Sequence, residues 1–339
     1  MKNNKAVLWT LLLLVLTIVV FLWLLRGADL AALAGIVRHA RPQWLAVGAI
    51  LVFLTLFCQA LCLALLLGRC GQSPGLLACL RAVFTGFYFS GITPSASGGQ
   101  AAQVWQLSRR GVAAGSSAGA LLLMQIAYQA VMIALGSIGL LLCGGVVAGA
   151  RGGMRLLIIY GFCAALLFFG LLFTALFSGA RLERAGNRLI LFLGRRRLVR
   201  DPDALCGKLH RQMEQFNACT ALFSQAPLLS ARILLVTLLQ QLCLLSVPCA
   251  VYCALGLSGH PLWQLAAAQA VLSVAVDTLP LPGAVGASES AFIAVHGLFF
   301  GSMSLPAMML SRSLSFYGAM AVSGIVTALP LPRKKAVSS

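Results

Sequence analysis

Apolar residues in this chain come in runs longer than a soluble fold needs. Six of them, at 6–25, 43–67, 113–144, 154–177, 228–255 and 306–329, reach the about 20 apolar residues that a spanning helix requires. Two further stretches, 80–108 and 263–301, are as apolar but are broken near the middle by Pro and Gly. The first break reads Thr93-Pro94-Ser95-Ala96-Ser97-Gly98-Gly99-Gln100, and the second Leu279-Pro280-Leu281-Pro282-Gly283-Ala284-Val285-Gly286-Ala287-Ser288-Glu289. Each half is too short to span, so both stretches are expected to be re-entrant hairpins with an irregular tip at membrane depth. Such backbone survives there only where protein or a watery cavity covers it. The pattern predicts an all-α integral membrane protein with about six spanning helices plus two re-entrant helical hairpins. The run at 6–25 exceeds the roughly 7–15-residue core of a cleaved signal peptide, so it is read as a retained helix.

Composition agrees, with 60% of residues hydrophobic and 9% charged, where soluble chains carry about 25% charge. The net charge of +18 lies in short clusters between apolar runs. That arrangement orients a membrane protein and argues against a nucleic-acid partner. With the N-terminus inside, the cytoplasmic segments hold Lys2, Lys5, Arg69, Arg81, Arg109, Arg110, Arg232, Arg333, Lys334 and Lys335. They also hold the basic loop 180–216, with Arg181, Arg184, Arg188, Arg195, Arg196, Arg197, Arg200, Lys208 and Arg211. The outer segments hold Arg26, Arg38, Arg41, Arg151 and Arg155, so the positive-inside rule puts both termini in the cytoplasm. Within the loop, Leu205, Leu209, Met213 and Phe216 recur at helical spacing. They predict an amphipathic helix on the inner membrane surface, whose basic face suits anionic headgroups, although the charge bias alone also accounts for the loop.

The two breaks resemble each other. Pro94 and Gly98 lie 188 residues before Pro282 and Gly286. The same shift carries spans 43–67 and 113–144 onto 231–255 and 301–332, close to the spans read independently. The expected organisation is one transmembrane domain over 1–339, with a first repeat at about 43–144 and a second at about 228–329. In the charge-derived topology the hairpins enter from opposite sides. That is an inverted repeat, an arrangement that places a transport site near the midplane between broken helices.

Acids mark that site. Of seven, only Asp277 and Glu289 fall in apolar sequence, and both flank the second tip. An intramembrane acid costs roughly 2.5–3.5 kcal/mol to insert, so it faces a partner or a watery cavity. Arg312 is the nearest cation, and an ion pair with Asp277 or Glu289 competes with a substrate-contacting role for each acid. Glu289 also has a third reading, as an anion stabilising a helix N-terminus after Ser288. The first tip is polar without charge, with Thr93, Ser95, Ser97, Gln100 and Gln103. Helix N-termini after Gly98-Gly99 and after Gly286 would aim backbone N–H groups at an anion. Gln125, Tyr128, Gln129, Gln240 and Gln241 either line the same cavity or bond between helices. Eleven cysteines lie mostly in apolar runs without a CxxC pair, and four histidines form no ligand pattern, so no metal or other cofactor is expected. Nucleotide-binding, serine-hydrolase and zinc-protease motifs are absent.

The segments TPSASGGQAAQVWQL, QIAYQ, LPLPGAVGASESAF and RSLSFYGA resemble the lysylphosphatidylglycerol synthase transmembrane region. This is the flippase-like part of the bifunctional synthase/flippase that confers resistance to cationic peptides. The resemblance implies a multi-pass protein of the bacterial cytoplasmic membrane that moves an aminoacylated phosphatidylglycerol such as lysylphosphatidylglycerol between leaflets. Its matching residues here are Gly98, Gly99, Gln100, Gly286, Glu289 and Arg312. The soluble synthase domain of the bifunctional proteins is not expected in this chain, and neither is transferase activity. Helix N-termini and Arg312 are expected to receive the phosphate, and Asp277 and Glu289 an ammonium. The alternatives are a membrane-embedded lipid-linked transferase, a transporter of another lipid such as a polyprenyl phosphate, a solute or ion transporter, and a partner subunit of a separate soluble synthase. The bilayer and a phospholipid are the expected partners, and an oligomer is compatible with the sequence.

Overall fold

A computed structural model describes Gly35 and residues 38–93, 96–143, 152–195, 202–279 and 284–329. The span expected at 6–25 and the tip residues Pro94, Ser95 and 280–283 lie outside the described residues. Every regular element described is helical. Helix α1 (Pro42–Arg69) starts with Pro at its first turn, where a missing N–H costs nothing, and ends before Gly71 at φ +72°. The next two helices, α2 (Leu76–Ile92) and α3 (Ser97–Ser108), are followed by α4 (Ala114–Leu142) and α5 (Gly152–Leu176). The basic loop folds as α6 (Gly179–Arg195) and α7 (Pro202–Gln225). Then come α8 (Pro227–Leu245), α9 (Val247–Ala254), α10 (Leu262–Asp277), α11 (Ala287–Phe300), α12 (Ser304–Arg312), a π-helical turn (Ser313–Gly318) and α13 (Ala319–Ala328).

Five helical runs are long and apolar enough to cross a membrane: Pro42–Arg69, Ala114–Leu142, Gly153–Leu176, Pro227–Ala254 and Ala287–Ala328. The chain is a multi-pass membrane protein. The last run has 42 residues, more than a bilayer needs. It turns back at Gly301 (φ +53°), because Gly297 stands beside Ser304 and Glu289 pairs with Arg312 across the turn. In the first broken stretch α2 and α3 run antiparallel, with Gly86 under Gln103 and Ser90 against Gly99. A Cβ on Gly99 would stand 1.9 Å from Ser90 Oγ, so glycine allows the arms to close. In the second, α10 and α11 share a core of Leu265, Val271, Phe292 and Phe299, and the His260 ring lies 5.3 Å from that of Phe299. Helix resumes at Ala287, directly after Gly286 as expected, and at Ser97, ahead of the expected Gly98-Gly99.

Three antiparallel helix pairs are among those that join the halves. Helices α1 and α8–α9 cross antiparallel, with Gly48 at Ala250, Thr55 bonded to the Gln240 carbonyl and Cys62 to that of Ile233. Helix α4 packs antiparallel on α10 through Gly136 on Val274 and Gly139 on Ala267, with Cys143 donating to Gln264 O. Helix α2 packs antiparallel on α13 through Gly91 on Met320, Gly324 on Tyr88, and Thr327 bonded to Thr85. In the basic loop, part of the apolar stripe expected to lie on the membrane turns inward, while Leu205 stays exposed. Leu209 packs on Gly186 of α6, and Phe216 and Cys219 pack on Gly119 of α4, because glycines there let the helices approach. Cys219 also forms a disulfide with Cys70, with Cα atoms 5.5 Å apart, a pairing that the apolar surroundings of most cysteines concealed.

Candidate functional site

The second tip is organised by Glu289. Gly286, at φ +89°, ends the irregular segment, and its N–H donates to Glu289 Oε2 at 2.6 Å. This is the returning half of a capping box, since Gly286 has no side chain to complete it. Glu289 has no exposed surface, and its Oε1 accepts from Arg312 Nε at 2.8 Å and from Tyr317 OH at 3.0 Å. Arg312 and Tyr317 are five residues apart, a spacing that an α-helix would splay onto different faces. The π-helical turn after Arg312 brings both to one carboxylate oxygen. The guanidinium lies 4.5 Å from the centre of the Phe316 ring and 5.6 Å from that of Tyr317, and its side chain is 15% exposed.

Asp277 belongs to a different cluster. It ends α10, and its Oδ2 accepts from Tyr128 OH of α4 at 2.7 Å. Asp277 is exposed, Tyr128 is half-buried, and Gln241 of α8 lies beside Tyr128 almost wholly buried. Among the described residues no cation forms an ion pair with Asp277. One turn earlier on α4, Gln125 accepts from Gln100 Nε2 of α3 at 3.3 Å. A cavity of about 290 Å³ opens beside this pair, lined also by Val104, Leu121, Leu172 and Phe216. Helix α4 thus presents Gln125 to the first hairpin and Tyr128 to the second.

At the first tip, Thr93 Oγ1 donates to Phe89 O at 2.7 Å and accepts the Gly98 N–H at 3.0 Å. Ala96 and Ala284 are the two non-glycine residues with positive φ among those described, at 52° and 50°. They are 188 residues apart, the offset of the Pro and Gly pairs. Ile92 of the first hairpin, Val285 of the second tip and Phe316 pack in one cluster, so the two broken regions meet.

The arrangement gathers the expected residues into two clusters. Glu289, Arg312 and Gly286 are together, with Ser288 buried in the same first turn of α11. Asp277 and Tyr128 are together, one helical turn from Gln125 and Gln100. Gln103 is buried over Gly86, between the arms of the first hairpin. Beside the two helix starts expected to face an anion, the Gly98 and Gly286 N–H groups are taken by Thr93 and Glu289. Tyr317 was not among the expected residues. Its only signal was its place in RSLSFYGA, five positions after Arg312. Among the described residues no three His, Cys, Asp or Glu side chains gather as a metal would require.

Residues 9–323 match the model of a protein family described as the lysylphosphatidylglycerol synthase TM region. No individually curated protein matches the chain.

Proposed function

Because the chain belongs to the lysylphosphatidylglycerol synthase TM region family, we propose that it is a flippase-like translocase, carrying a phospholipid headgroup across the bilayer. Family membership supports a role in membrane lipid biology. The finer reading rests on one observation: Asp277 is an exposed carboxylate, held by Tyr128, with no cation paired to it among the described residues. An intramembrane anion left in that state is stabilised by a cationic ligand. The ammonium of an aminoacylated phosphatidylglycerol such as lysylphosphatidylglycerol fits that seat. Glu289 takes the structural part, since its charge is already met by Arg312, Tyr317 and the Gly286 N–H.

The helix packing supports an inverted repeat of two re-entrant hairpins. Under the 188-residue shift Gly136 becomes Gly324, and each packs on the first arm of the opposite hairpin. The equivalent helices α1 and α8–α9 cross antiparallel, as a two-fold axis in the membrane plane requires. The hairpin tips then meet at the midplane, with Asp277 beside them. The charge distribution orients α6 and α7 toward the cytoplasm in this reading. Acyl chains stay in lipid or in the groove lined by Leu121, Leu172 and Phe216.

Proteoliposomes test the proposal. The chain should speed transbilayer movement of lysylphosphatidylglycerol over protein-free vesicles, and do so more than for phosphatidylglycerol. If no lipid tested, aminoacylated, zwitterionic or polyprenyl phosphate, moves faster than in empty vesicles, the translocase reading fails.

A further inference from the structure

Helix α6 carries three stripes. One packs on α7: Gly179 stands against Asn217, Glu183 bonds His210 at 2.6 Å, and Gly186 meets Leu209. The next, Ala185, Leu189 and Phe192 at helical spacing, is exposed, with Leu189 at 58% and Phe192 at 55%. The third is Arg181, Arg184 and Arg188, all exposed. Among the described residues no acid forms an ion pair with it, and Glu183 and Glu214 both turn to His210, at 2.6 and 3.3 Å.

The height of this helix is set by its neighbours. Two residues separate the end of the spanning α5 at Leu176 from the start of α6 at Gly179. Its partner α7 is fastened to the first turns of the spanning α4, where Gly115 N–H donates to Gln212 Oε1 at 2.6 Å and Gly119 packs on Cys219. At the membrane boundary an exposed Leu–Phe stripe faces acyl chains, and arginines next to it reach the phosphate layer.

We propose that α6 is a dock for anionic phospholipid of the cytoplasmic leaflet, with Ala185, Leu189 and Phe192 set among acyl chains and Arg181, Arg184 and Arg188 on the headgroup phosphates. The occupant follows from charge: three arginines beside an apolar stripe complement an anionic leaflet, each contributing about a fivefold preference near the surface. This inference stands apart from the translocase reading, since it concerns lipid that stays in its leaflet.

Amide hydrogen exchange of the full chain in phosphatidylcholine vesicles, with and without phosphatidylglycerol, tests it. Residues 179–192 should exchange at least about fivefold more slowly when phosphatidylglycerol is present. Replacing Arg181, Arg184 and Arg188 with Gln should remove that difference, while residues 209–217 keep their protection and so report an intact α6–α7 pair. Should the triple variant misfold, salt that shortens the Debye length to about 3 Å should abolish the lipid effect in the unaltered chain. Equal exchange in both vesicles, or a phosphatidylglycerol effect that survives the triple variant or the salt, would overturn the proposal. So would protection that appears only when a soluble protein is added.

Discussion

Glu289 accepts hydrogen bonds from three groups, and removing its charge breaks the ion pair with Arg312 in a buried place. Breaking such a pair from one side costs about 3–5 kcal/mol, so Glu289→Gln should lower thermal stability visibly in detergent. Glu289→Gln with Arg312→Gln should recover much of that loss and, since Glu289 is structural here, should recover transport too. Recovered stability with transport still lost would instead give Glu289 a substrate role. Tyr317→Phe removes one bond to the same carboxylate and should cost roughly 1.5–3 kcal/mol in the same melt. A second test concerns His210, whose hydrogen bond to Glu183, followed by the charges of Glu183 and Glu214, holds its pKa above the ordinary imidazole value. The link it forms between α6 and α7 is therefore complete below that ordinary value and lost as pH rises through the raised one. Protection of residues 179–192, taken as their exchange relative to the intrinsic rate at each pH, should be greater in mildly acidic buffer than in alkaline buffer, and His210→Gln should flatten that dependence. Asp277, Glu289 and Arg312 were legible as a set because charge in apolar sequence is rare. Their division was not, since Tyr128 reaches Asp277 across 149 positions and Tyr317 reaches Glu289 only through a π-helical turn.

Among the elements, the two hairpins make the sharpest demand on backbone. Ala96 and Ala284 adopt left-handed conformations, which cost an L-residue roughly 1–2 kcal/mol. Glycine at either position should be tolerated, and valine should destabilise both to a similar degree, as thermal melts of the four variants would show. Gly99→Ala should be worse, since its Cβ would meet the Ser90 side chain and, at 2.9 Å, the Gly86 carbonyl. The hairpin breaks were readable because Pro and Gly interrupt apolar runs at matching places. The helix start after Gly286 was readable too, whereas at the first tip helix resumes at Ser97, ahead of the expected Gly98-Gly99. Helix α6 was missed for a different reason. Its arginines read as a topology signal, which hid the apolar stripe running beside them, while on α7 Leu209 and Phe216 of the expected stripe pack on neighbouring helices.

At the scale of the whole molecule, the matching offsets of Pro94 and Pro282, of Gly98 and Gly286, and of the flanking spans could be read directly from the chain. Which helices of one half touch which of the other could not, since glycines such as Gly136 and Gly324 show their role only once their partners are known. The proposed transport depends on the charge of Asp277, which no cation pairs among the described residues. Its most direct test is the rate at which lysylphosphatidylglycerol, delivered to one leaflet of proteoliposomes, becomes reactive to an impermeant amine reagent on the other. Asparagine at 277 keeps an acceptor for Tyr128 but removes the charge, and a charged hydrogen bond is worth about 1.5–3 kcal/mol. The Asp277→Asn protein should therefore move the lysyl lipid roughly ten- to hundredfold more slowly than the unaltered chain, with the movement of phosphatidylglycerol changed far less. An Asp277→Asn protein that moves both lipids at unaltered rates would contradict the account.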